Sequence, residues 1–152
     1  MVIMELIFNI SSGKLMVSTA SFSFTIPATS GNGACENNPS GACQAASFEG
    51  PIPIGSYFIN PKDLSDPNII GDLARNYRPD SPGDWGDFRV RIQPMGTTNT
   101  LGRDGFFLHG GGYSGSAGCI DVGGGITGNR QTGLLKSAIK AASGDIFLEV
   151  RQ

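Results

Sequence analysis

FRVRIQPMGTTNTLGRDGFFLHG, residues 88–110, holds two β-strands separated by turn-forming residues. In 88–94, Phe88, Val90 and Ile92 alternate with Arg89 and Arg91, the period of two expected of a strand with one face in a core and one half-solvated. In 102–110, Phe106, Phe107 and Leu108 follow a turn signal and predict a second strand. It ends on His109, the chain's single histidine.

The N-terminal side repeats this pattern. VIMELIF (2–8), KLMVS (14–18) and SFSFTIP (21–27) are apolar or β-branched runs between turn formers, and Ser11-Ser12-Gly13 makes the first hairpin turn. Residues 28–50 are turn chemistry almost throughout and predict a long loop or an ordered irregular segment. GPIPIGSYFIN (50–60) encloses another strand, with Pro51 and Pro53 forcing an extended entry, and is read as the wall of a cleft. Residues 60–86 are polar and punctuated by proline, with one short helical turn expected around 69–75. On the C-terminal side, Leu134, Leu135, Ala138 and Ile139 give 130–142 one apolar helical face; Ser143-Gly144 ends it, and DIFLEVR (145–151) is a final core strand.

A chain of 152 residues, 39% hydrophobic and without repeats, is the size of one domain, expected to span 1–152. With 23 glycines, 9 prolines and 16% charged residues, loops should outnumber helices, so the fold expected is mainly β, a β-rich α+β chain. The net charge of −2 argues against nucleic-acid binding, since phosphate neutralisation needs a basic patch. The N-terminal stretch lacks a basic region and an apolar run of signal-peptide or membrane-span length, so neither a signal peptide nor membrane insertion is expected.

Three cysteines fall into two settings. Cys35 and Cys43 are close together in the loop-like segment and are either a disulfide, in an oxidising compartment, or two thiols. Cys119 follows His109 by ten residues, across a glycine-rich loop able to fold back on itself. A thiol beside an imidazole is partly thiolate at neutral pH and strongly nucleophilic. The small residues Ala117 and Gly118 permit a tight turn whose amides, with that of Cys119, can point at one oxyanion. Against this stands a buried thiol beside a hydrogen-bonded core histidine. With one histidine, no metal site is expected, and no cofactor.

Local context favours catalysis. In L,D-transpeptidases of the YkuD type a strand ends in His-Gly, a loop follows, and Ser-His-Gly-Cys presents the nucleophile; His109-Gly110 and Ser116-Ala117-Gly118-Cys119 resemble that arrangement. Ser30-Gly31-Asn32-Gly33 with Asn37-Asn38-Pro39, then Gly50 to Tyr57, then Leu101-Gly102-Arg103 resemble, in the same order, the type VI secretion L,D-transpeptidase effectors. The resemblance spans roughly residues 10–150.

The resemblance implies a YkuD-like β-sandwich with one helix in the C-terminal region. Cys119 would be the nucleophile, His109 the base, the Gly110 carbonyl the group that holds the imidazole tautomer, and the amides of Ala117, Gly118 and Cys119 the oxyanion donors. The substrate implied is a peptidoglycan tetrapeptide stem, attacked at the meso-diaminopimelate–D-alanine bond, with hydrolysis (L,D-carboxypeptidase) or D-amino-acid exchange and cross-linking (L,D-transpeptidase) as outcomes. The implied setting is an antibacterial effector, made in the cytoplasm, moved by type VI secretion machinery into a rival's periplasm, and countered by a cognate immunity protein. A housekeeping L,D-transpeptidase and a non-catalytic peptidoglycan-binding module are the competing readings.

Two positions depart from the pattern: Ala117 replaces the signature histidine, and Asp121 stands where many relatives carry arginine. Both bear on substrate contacts, and neither touches the nucleophile. Tyr113 is either a stacking surface for a stem or a solvent-facing aromatic, and Ser116 is more readily a turn-forming hydroxyl than a catalyst. Arg103 either grips a substrate carboxylate or pairs with Asp104 or Asp87.

Overall fold

The computed structural model describes residues 4–65, 88–111, 117–124 and 130–152. The expected helical turn around 69–75, together with Asp87, Tyr113 and Ser116, lies outside the described residues. Among the described residues eight strands form: β1 Met4–Asn9, β2 Lys14–Thr19, β3 Ser23–Pro27, β4 Gly55–Ile59, β5 Arg89–Pro94, β6 Phe106–Gly111, β7 Ile120–Gly124 and β8 Ile146–Arg151. Among the described residues, two α-helices accompany them, α1 Gly41–Ala45 and α2 Arg130–Ala141, with short 3-10 turns at Gly33–Cys35 and Pro61–Asp63.

The strands lie in the order β3-β2-β1-β8-β4-β5-β6-β7. The hairpins β1–β2 and β2–β3 follow from short turns. The last strand, β8, lies between β1 (parallel) and β4 (antiparallel), so the end of the chain completes the middle of the sheet. Only two residue pairs join β4 to β5, Tyr57 with Pro94 and Phe58 with Gln93. Beyond that short junction, β5, β6 and β7 continue, with β6 and β7 parallel. The end strands then meet: just after β3, Thr29 exchanges two backbone hydrogen bonds with Asp121 of β7, at 2.9 and 2.8 Å.

One face of every strand supplies one hydrophobic cluster. It includes Leu6, Phe8, Leu15, Val17, Tyr57, Val90, Ile92, Phe106, Leu108, Ile120 and Leu148, with Leu135, Ala138 and Ile139 of α2. Each such side chain, fully withdrawn from water, contributes roughly 1.5–3 kcal/mol, which is why the period-two positions rather than propensity decide the strands. The β-rich architecture with one substantial helix is the fold read from the sequence. Leu134 is a correction: it is 42% exposed, because it lies off the stripe defined by Leu135, Ala138 and Ile139.

The turn-rich segment after β3 is ordered and contains the helix α1, too short for any periodicity to reveal. The Ser40 hydroxyl caps it by accepting from the Cys43 N–H at 3.2 Å. Cys35 and Cys43 are joined as a disulfide across a sequence separation of 8. Closing a loop of that length contributes about 2.5 kcal/mol in the chain-entropy account. Replacing both cysteines by serine is therefore expected to lower the unfolding free energy by about that amount, measured by denaturant unfolding without reductant.

Candidate active site

Strand β6 presents His109 through its alternation: Phe106 and Leu108 enter the core, which turns Phe107 and His109 to the opposite face. The parallel register pairs Leu108 with Ile120 and His109 with Asp121. Along β7, Ile120 and Val122 are likewise core residues. Asp121 therefore lies on the face that carries His109, and Cys119 immediately precedes β7, the strand paired with the one that holds His109. Cys119 stands outside the disulfide and is 7% exposed; His109 is 1% exposed.

The imidazole is oriented by backbone. Its Nδ1 lies 2.8 Å from the Gly110 carbonyl oxygen. A carbonyl only accepts, so Nδ1 carries the hydrogen and Nε2 is the basic nitrogen. Gly110 is itself held, its N–H donating to the Phe88 carbonyl at 3.2 Å. The register shift in β6–β7 pairing between His109 and Gly111 bends the ladder where the carbonyl must turn back to the ring.

Asp121 departs from the sequence reading. Rather than facing a substrate, it is 3% exposed, with Oδ1 at 4.0 Å from His109 Nδ1 and accepting from the Gly123 N–H at 2.8 Å. The parallel register forces this placement, and the Thr29 bridge covers it. At that separation the carboxylate acts on the imidazole through its field rather than a hydrogen bond, favouring imidazolium when the ring takes a proton.

Gly118 also departs. Its N–H donates to the Gly50 carbonyl at 2.9 Å, so this amide anchors the turn and does not point at an oxyanion. The backbone there has φ +72°, and an added Cβ would sit 2.9 Å from the Phe106 ring and 3.3 Å from Arg103 Nη2. Gly118→Ala combines left-handed strain with a clash, and is expected to cost about 2 kcal/mol or more and to displace the Cys119 turn, measured by urea unfolding and by turnover. Ala117 is half-buried beside it.

Of the partners the sequence left open for Arg103, Asp104 forms no ion pair with it and Asp87 lies outside the described residues. The Arg103 guanidinium is 7% exposed and donates to the carbonyls of Gln44 (2.7 Å), Pro51 (2.7 Å) and Gly50 (2.9 Å). It lies 5.9 Å from the Phe106 ring centre, and that ring meets Tyr57 edge-on. Burial lowers the Arg103 pKa, and the nearby Tyr57 and Cys119 oppose that shift. Burial likewise pushes the Tyr57 phenol up, with Arg103 opposing; its hydroxyl donates to the Pro53 carbonyl at 2.7 Å. Gly50 approaches this junction so closely that a Cβ there would overlap the Cys43 carbonyl oxygen.

Two neighbours of the site escaped the sequence reading. Arg89, read as a half-solvated strand residue, pairs directly with His109 across β5–β6, with its guanidinium carbon 5.6 Å from the Phe107 ring centre. Thr29 pins Asp121 from the far end of the sheet. Alternation marks the face of Arg89, but only the pairing partner shows that the face is shared with His109.

Residues 25–137 match the model of the family described as the Tlde1 domain. Among solved structures, the fold is similar to Mycobacterium tuberculosis L,D-transpeptidase 1, with a TM-score of 0.52 and 16% identity, over 99% of this chain and 63% of that one. It is also similar to L,D-transpeptidase 3 of the same organism, solved with a faropenem-derived adduct, at TM-score 0.53 and 17% identity, over 99% and 61%. This chain thus spans under two thirds of the length of those structures. No curated protein sequence matches it.

Proposed function

The chain belongs to the Tlde1 domain family, and on that footing we propose that it is a cysteine acyltransferase acting on peptidoglycan tetrapeptide stems, delivered as a type VI secretion effector. The observation that carries this reading is the pairing of β6, which holds His109, with β7, which Cys119 immediately precedes, together with the commitment of His109 Nδ1 to the Gly110 carbonyl.

In this reading the Cys119 thiol gives its proton to His109 Nε2. The thiolate attacks the carbonyl carbon between the L-centre of meso-diaminopimelate and D-alanine. The tetrahedral adduct collapses by breaking the C–N bond, the imidazolium returns the proton to the leaving amine, and D-alanine departs. A thioester on Cys119 remains. His109 then takes a proton from water, or from the amine of a D-amino acid or a second stem, and the attack on the thioester regenerates the thiol. Water yields a tripeptide stem; an amine yields exchange or a cross-link. Asp121, buried beside the ring, stabilises the imidazolium that both halves of the cycle need.

The Cys35–Cys43 disulfide supports action in an oxidising compartment such as a target cell's periplasm, and a producer of such a toxin would need a cognate immunity protein. The test is incubation with purified tetrapeptide muropeptides, with and without a D-amino acid, followed by mass spectrometry. Tripeptide or exchanged tetrapeptide is expected; unchanged substrate in the presence of folded protein contradicts the proposal.

A further inference from the structure

Arg103 poses a problem that its hydrogen bonds do not solve. A buried guanidinium is costly unless a negative charge balances it, and carbonyl dipoles satisfy its N–H groups without supplying that charge. Among the described residues no carboxylate forms a salt bridge with it. Its surroundings are the Gln44, Gly50 and Pro51 carbonyls, the Phe106 ring and the backbone of Gly118, where Nη2 would lie 3.3 Å from an added Cβ. The residue after Gly118 is Cys119, and the same Gly50 carbonyl accepts from both Arg103 and the Gly118 amide. The guanidinium and the nucleophile turn are therefore fixed to one another through a shared acceptor.

We propose that Arg103 is a positioning residue that acts through Cys119: its buried charge is the counter-cation that favours the thiolate, while its hydrogen bonds hold the 44–51 segment against the nucleophile turn. This deepens the reading of Cys119 as nucleophile and rests on it. The electrostatics agree, since Cys119 and Tyr57 are the groups whose negative forms favour the charged guanidinium. Burial keeps the Tyr57 phenol protonated, which leaves the thiolate as the anion available at neutral pH. Among the described residues, the charged or titratable groups on the paired strands next to this turn are His109 on β6, Asp121 on β7 and Arg89 on β5. Asp121 opposes the thiolate. Arg89 is half-buried, with its guanidinium over the Phe107 ring.

The test reads the thiol itself and needs no peptidoglycan, so it can fail or succeed independently of the substrate assignment. With Cys35 and Cys43 bridged, Cys119 is the thiol that iodoacetamide modifies under non-reducing conditions. Its alkylation rate is followed against pH by intact mass in the native protein, Arg103→Lys and Arg103→Gln, with thermal melting to establish folding. Arg103→Gln is expected to raise the alkylation midpoint by about one pH unit or more, a roughly tenfold loss of rate on the acidic limb. Arg103→Lys, which keeps the charge, should stay within about half a unit of the native midpoint. A superimposable profile in folded Arg103→Gln overturns the proposal. If that variant does not fold, His109→Gln carries the test, because the imidazole is gone and the guanidinium remains. A midpoint still below the ordinary cysteine value of about 8.5 is expected, and one at or above it overturns the proposal.

Discussion

Cys119→Ala is expected to remove turnover of tetrapeptide stems altogether, a loss of at least about 10⁴-fold, while the protein still folds. The remaining cysteines are tied to each other, so Cys119 is the one thiol available for the attack. The substitution deletes one sulfur from a buried position beside Ile120, a change that should cost about 1 kcal/mol. Activity and stability therefore separate. Muropeptide turnover falls to background, and the melting temperature moves by only a few degrees. A folded Cys119→Ala protein that still trims stems would leave the mechanism without a nucleophile.

The second large effect is expected of His109→Gln, with a fall in turnover of about 10²–10⁴-fold at neutral pH. Glutamine approximates the volume of imidazole and can donate to the Gly110 carbonyl that Nδ1 now uses, so the loss reports proton transfer more than collapse of the site. The pH dependence distinguishes this variant from the first. Without Nε2, thiolate forms only as bulk pH rises through the thiol's own pKa, so acylation in His109→Gln should recover part of its rate on going from pH 6 to pH 9. The native enzyme should flatten over that range, and Cys119→Ala should stay at background throughout. Rates measured across that range check all three.

The reach of local sequence is visible in these same residues. Alternation in FRVRIQP identifies Phe88, Val90 and Ile92 as core, and the run before His109 identifies the strand that delivers it, because a period of two records which face is buried. The helix from Arg130 was legible for the same reason, apart from Leu134 at the edge of its stripe. What remained hidden depends on partners distant in the chain. Nothing local reveals that β8 lies between β1 and β4, or that Asp121 pairs with His109 and is buried beside it. The Gly50 carbonyl's demand for the Gly118 amide, and the three carbonyls that consume the Arg103 donors, are fixed by contacts across more than 50 residues of chain. A short helix held by Ser40 and a disulfide has too few residues to show any period.

Glycine at 118 and arginine at 103 acquire a common meaning from this geometry. One permits the turn to pass under the Phe106 ring and the other fills the space behind it, so the residue before the nucleophile rests on a packed and charged support.

In the proposed reaction a peptidoglycan stem becomes covalently attached to Cys119. Intact-mass analysis of the protein quenched during reaction with a tetrapeptide muropeptide tests it directly. The expected spectrum shows a species heavier by the stem less its terminal D-alanine, mapped to Cys119 by peptide sequencing and missing from Cys119→Ala. Substrate consumption with no such adduct under any quench, or an adduct on another residue, would contradict it.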